Sequence, residues 1–100
     1  MNQKFEDYIQ GDTPVVVDFF NDNNKSSDKV NPMLKDVKSI VGSSVTILKM
    51  NIEKNKFYRD KYLIYSMPAI LIFKRGKLLW RNCGVASKNE IIRCIAQNIN

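Results

Sequence analysis

Two cysteines, one conspicuous carboxylate and a complete absence of histidine set the chemical inventory of this chain. Cys83 and Cys94 are too few for the disulfide framework of a small secreted scaffold. Without histidine the chain lacks the commonest metal ligand and general base, so no metal site, metal chemistry or other cofactor is expected. Cys94 falls in an apolar stripe with Ile91 and Ile95 and reads as a packing residue. Cys83 reads either as a passive thiol or as a lone nucleophile able to form mixed disulfides. Asp18 interrupts the apolar run Val15-Val16-Val17-Asp18-Phe19-Phe20. A carboxylate buried in such a run must be paired, hydrated or protonated.

The elements that must position these groups alternate in period along the chain. Lys4 to Gln10 reads as a short helix closed by Gly11, and Pro14 to Phe20 as a central strand covered on both faces. Asn21 to Asp28 reads as a loop and helix start. Val30, Met33, Leu34, Val37 and Val41 fall at helical spacing in a helix bent near its beginning by Pro32 and ended by Gly42. Val45 to Met50 is the next strand, Lys56 to Tyr62 a short helix and Ala69 to Phe73 a third strand. Arg75-Gly76 should turn that strand into an antiparallel partner, Lys77 to Arg81. Ser87 and Glu90 have capping-box spacing, which predicts a last helix from Lys88 to about Asn98 that buries Ile91, Cys94, Ile95 and Ile99. The chain therefore reads as one α/β domain spanning residues 1–100, ordered αβαβαββα.

Length and composition agree with that reading, since 100 residues with 44% hydrophobic content suffice for one core and not for two. The net charge of +6 invites a nucleic-acid partner, but the basic residues are scattered among acids and define no groove or base reader. No specific nucleic-acid partner is expected. The longest uncharged apolar run, Ala69 to Phe73, is far too short to span a bilayer, and the N-terminal residues have no signal-peptide core. No membrane partner is expected, and the chain reads as cytoplasmic.

Thr13 to Phe20 resembles the strand that leads into the active site of thioredoxins, and the spacing from Phe20 to Pro32 matches that family without a gap. Leu48 to Glu53, Ser66 to Lys77, Gly84 and the terminal helix are similar to later thioredoxin segments in the same order. The resemblance covers Lys4 to Ile99. It implies a thioredoxin-like mixed sheet of about four strands flanked by helices. The edge strand with which a thioredoxin usually begins is expected to be missing, because no residues precede the first helix. The resemblance also implies a cis bond between Met67 and Pro68, sheet neighbours for the first strand on both sides, and a role in cell redox homeostasis.

The resemblance fails where a thioredoxin carries Trp-Cys-Gly-Pro-Cys, for here the chain reads Asn23-Asn24-Lys25-Ser26-Ser27. Asn24 and Ser27 take the two cysteine positions. Neither an amide nor a hydroxyl can act as the thiolate that attacks a disulfide, so the ordinary dithiol cycle is not expected. Both side chains are good helix caps, and both could instead hydrogen-bond an extended peptide or small ligand. Asp18 matches the acid beneath the thioredoxin cysteines and Lys49 the lysine near it. With no thiol to serve, the two read as a structural buried polar pair.

Two functions from different classes follow. One is a redox-inactive domain that binds a polypeptide or small ligand on the surface formed by Asn24, Ser27, Met67, Pro68 and Cys83. The other is a thiol-disulfide oxidoreductase or thiol-dependent enzyme acting through Cys83, which the resemblance puts on the rim of that surface. A polypeptide partner is expected, and the sequence leaves its identity and the oligomeric state open.

Overall fold

The computed structural model describes residues 3–21, 27–84 and 87–99, with the side chains of residues 3 and 27–29 outside the description. Helix α1 (Gln3–Ile9) places Phe5 and Ile9 one turn apart on its buried face. After Gly11, whose N–H donates to the Tyr8 carbonyl, the chain enters β1 (Val15–Phe20). Helix α2 (Ser27–Val41) buries Val30, Leu34 and Val37 along one stripe and holds Pro32 on its exposed side. Gly42, at φ 58°, leads into one 3-10 turn and then β2 (Thr46–Asn51). Helix α3 (Lys56–Lys61), β3 (Ala69–Lys74), β4 (Lys77–Cys83) and α4 (Lys88–Gln97) complete the chain.

The four described strands form one mixed sheet in the order β2-β1-β3-β4, with β1 parallel to β2 and antiparallel to β3. Strand β1 is interior, which is the arrangement the sequence pattern requires of an almost unbroken apolar run. Alternation along it divides the core. Val15, Val17 and Phe19 meet α1 and α3, where Phe5 packs on Tyr58 at a ring separation of 4.5 Å. Val16 joins Ile70 and Ile72 against Val30, Leu34 and Val37 of α2 and Ile91 and Ile95 of α4.

The hairpin between β3 and β4 turns through Arg75 (φ 53°) and Gly76 (φ 78°), the backbone of a type I′ turn, which matches the twist of antiparallel strands. Its amides also tie it to the first helix. Arg75 N–H donates to the Gly11 carbonyl at 2.9 Å and Gly76 N–H to the Ile9 carbonyl at 2.7 Å, while the Arg75 guanidinium pairs with Asp12.

Two sequence expectations are corrected. Strand β4 continues past Arg81 to Cys83, because β3 begins early enough to offer Ala69 and Ile70 as partners for Cys83 and Asn82. Ile99 is 46% exposed rather than buried. Helix α4 ends at Gln97, and Asn98 closes it by donating from its backbone to the Ile95 carbonyl and from its side chain to the Cys94 carbonyl. The chain therefore leaves the apolar stripe one residue before Ile99.

Leu71 has no exposed surface and lies at the centre of the α1 and α3 layer. Leu71→Ala should lower unfolding stability by about 2–5 kcal/mol, through lost apolar transfer and an unfilled cavity. Ile40→Ala, at an exposed position on α2, should change it by less than about 0.5 kcal/mol. Urea melts of the two variants test this distribution.

Candidate functional site

Asp18 is the only buried charged residue among those described, at 1% exposure, and its Oδ1 has no hydrogen-bond partner. It shares the α2-facing side of β1 with Val16. The parallel register sets Lys49 of β2 directly beside it. Lys49 is itself exposed, and its ammonium donates to Asn31 Oδ1 on α2. The expected buried pair is thus half realised: the acid is inside, and the lysine acts on it through its charge from the surface. Burial pushes the Asp18 carboxyl up to about 6 from 3.8, and the nearby Lys49 charge pulls it partly back.

The second part of the candidate site stands at the start of β3. The Met67–Pro68 bond is cis, Pro68 is buried and Met67 is half-buried. Gly84 N–H donates to the Pro68 carbonyl at 2.7 Å, which fastens this loop to the end of β4. Because Ala69 pairs with Cys83, the exposed Cys83 is held next to the Met67–Pro68 segment. Both described cysteines are free thiols, with Cys94 on the buried face of α4 and raised in pKa by that burial.

Sequence reasoning missed three neighbours of this segment. Arg81 shares a face of β4 with Cys83, and its guanidinium donates to the Leu63 carbonyl at 3.2 Å while lying 3.9 Å from Cys83 Sγ. Strand alternation could have signalled that pairing, since residues two apart face the same way. Leu63 (φ 55°) and Tyr65 are exposed apolar side chains in the loop before Met67. A left-handed backbone at a leucine is uncommon and stores about 1 kcal/mol or more of strain. Nothing in the local sequence announces it. Tyr65 and Met67 also line a cleft of about 310 Å³ with Ile52, Glu53, Arg59 and Ile64.

Asn24 lies outside the described residues, as does the side chain of Ser27, so neither of their expected roles is placed. Ser27 begins the described part of α2. Met67, Pro68 and Cys83 are brought together. Asp18 and Lys49 are adjacent in register, on the face that carries α2.

A sheet ordered β2-β1-β3-β4, with helices on both faces and a prolyl loop bonded to the outermost strand, defines the thioredoxin-like class of α/β domains. The family model described as Thioredoxin matches residues 1–97, and the chain belongs to that family. A thioredoxin of Rickettsia bellii is 33% identical over 94 residues, spanning 94% of this chain and 90% of that protein. A thioredoxin of Rhodospirillum rubrum is 27% identical over 94 residues, with the same shares of 94% and 90%. In fold, the chain is similar to the N21Q mutant thioredoxin from Halobacterium salinarum, with a TM-score of 0.85 at 15% identity, covering 100% of this chain and 87% of that one. Among the described residues, no helix is long and apolar enough to cross a membrane.

The raised pKa of Asp18 fixes the direction of a pH effect. Between about pH 4 and pH 6 the folded chain keeps a proton that the unfolded chain has released. Stability contributed by protonated Asp18 is therefore present at pH 4 and lost as pH rises through 6. Asp18→Asn should abolish this fall and leave the variant more stable than the parent at pH 8, by up to about 3 kcal/mol. Paired urea melts at pH 4.5 and pH 8 test it, and a parent at least as stable at the higher pH would contradict the assignment.

Proposed function

We propose that this protein is a thioredoxin-family domain that holds a polypeptide at the Met67–Pro68 surface and performs no dithiol exchange. The observation that carries the reading is the placement of its thiols. The chain has two cysteines in all, Cys83 and Cys94, and no Cys-x-x-Cys pair. One lies exposed at the end of β4 and the other on the buried face of α4. One exposed and one buried thiol on separate elements do not make up the attacking and resolving pair of a dithiol cycle, which supports this reading.

The retained surface supports binding. Leu63 and Tyr65 expose apolar side chains beside Met67, and the adjoining cleft carries Glu53 and Arg59 as polar contacts. An extended polypeptide suits such a groove, because its side chains can alternate between the apolar rim and solvent. By the family resemblance, Asn24 and Ser27 supply hydrogen-bonding groups where a thioredoxin supplies thiols. An exposed free thiol is compatible with a reducing compartment, which supports the cytoplasm as the place of the proposed work.

A second reading, a thiol-dependent activity, is favoured by one observation: the Arg81 guanidinium lies 3.9 Å from Cys83 Sγ. In that case the Cys83 thiolate would attack a partner's disulfide, forming one mixed disulfide and releasing the partner's other sulfur as a thiolate.

The unmodified protein should show no turnover of insulin disulfides above the rate with dithiothreitol alone. Asn24→Cys combined with Ser27→Cys should gain measurable turnover, below that of a thioredoxin, because Lys25-Ser26 replaces Gly-Pro between the two positions. Turnover by the unmodified chain that disappears in Cys83→Ser would replace the binding reading with the thiol reading.

A further inference from the structure

Strand β2 is an outer strand of the sheet, and its unpaired side carries a short, well-defined hydrogen-bonding edge. The Thr46 N–H donates to the Pro14 carbonyl and the Ile52 N–H to the Phe20 carbonyl, so the even-numbered residues of β2 face β1. In a parallel ladder the intervening residues then turn their N–H and C=O groups outward. Two positions at the ends of this edge are already engaged. Lys38 Nζ donates to the Val45 carbonyl at 2.6 Å, and Asn55 Nδ2 donates to the Asn51 carbonyl at 2.8 Å. Between them, the backbone groups of Ile47 and Lys49 have no protein partner among the described residues, which leaves two donors and two acceptors aligned for one added strand.

Beside this edge lies a cleft of about 240 Å³ between α1 and β2, lined by Lys4, Phe5, Tyr8, Leu48, Lys49 and Met50. Its floor is apolar, Lys4 borders it from α1, and the Lys49 side chain leaves the edge on the opposite, α2 face. Lys38 adds a third positive charge at the end of the edge.

We propose that the β2 edge is a docking site for an extended, acidic segment of a partner protein, which adds to the sheet through Ile47 and Lys49. Acidic residues of that segment would face Lys49 and Lys38 on the α2 side of the sheet, and the apolar residue between them would enter the cleft against Tyr8 and Leu48 on the α1 side. The same charges disfavour a second copy of this chain. Antiparallel pairing of two β2 edges about Leu48 would bring Lys4 and Lys49 of both copies to one seam, where like charges repel. The surface is separate from the Met67–Pro68 site, since β2 and β4 are the opposite edges of the sheet. It does not rest on the function proposed for that site.

The test uses the whole chain and a blocked six-residue peptide that alternates Glu and Val, with amide exchange and chemical shifts followed by NMR. Saturating peptide should slow exchange of the Ile47 and Lys49 amides by about ten-fold or more, the protection expected of newly formed strand hydrogen bonds. A peptide with Lys in place of Glu should not. Ile47→Pro removes one outward donor and none of the inward ones, and Lys38→Glu reverses one charge on the α2 side of the edge. Each should weaken the Glu peptide by about five-fold or more, a loss of about 1 kcal/mol. Should Ile47→Pro not fold, the parent chain with a peptide N-methylated at alternate residues reads the same bonds. Three results would overturn the proposal: no binding at millimolar peptide, shifts confined to the Met67–Pro68 region, or a peptide-free dimer whose Ile47 and Lys49 amides are already protected.

Discussion

The antiparallel pairing of β1 with β3 is the constraint on which the rest of the molecule depends. Val15, Val16, Val17 and Phe19 on one strand, and Ala69 to Phe73 on the other, are almost completely buried on both faces of the sheet. Water cannot satisfy backbone groups there, so each strand must complete the other's ladder. Each large apolar side chain buried contributes about 1.5–3 kcal/mol, and only helices on both faces can exclude water from both sides. The amphipathic stripes of α1, α2 and α4 are shaped to that requirement. The outer strands then follow as the neighbours that cover the lateral edges of the central pair.

This arrangement also fixes the chemistry available at the candidate site. Asp18 is carried inside by the strand that contains it, since helices cover both faces of β1 and a side chain there is buried whichever way it points. Its unpartnered Oδ1 is a tolerated exception to an otherwise apolar strand. At the other end of the central pair, the bond between Gly84 and Pro68 joins the loop before β3 to the end of β4. Cys83 lies beside the Met67–Pro68 segment there because strand register sets it opposite Ala69. A binding surface can persist on this frame without the dithiol, since the groups that shape it belong to β3, β4 and the loop before β3.

The two outer strands differ in what they leave open. Strand β4 is drawn into local contacts, with Arg81 reaching the Leu63 carbonyl and Cys83 held opposite Ala69. Strand β2 has its ends capped by Lys38 and Asn55, and an uncapped centre bordered by lysines. Edge lysines are a common defence against unwanted self-pairing. At this edge the same charges define the kind of strand that could be accepted.

The sequence by itself determined the order of elements and the layers of the core, because apolar periodicity and turn residues report local geometry directly. Val15 to Phe20 read as an interior strand, and Arg75-Gly76 read as the hairpin turn that the structure contains. It also determined that no Cys-x-x-Cys pair exists, which is a matter of composition alone. The end of α4 was less legible, since Ile99 continues the apolar spacing and only the side-chain cap by Asn98 stops the helix short of it. Tertiary structure decided which charges are inside: Lys49 matches a position expected in a buried pair, yet it sits on an outer strand and turns to Asn31. Tertiary structure also decided that Arg81, Leu63 and Cys83 share one corner, and that Ile47 and Lys49 offer an open edge. Those facts depend on contacts between residues distant in the chain and on which strand lies outermost, and neither is encoded in any local period.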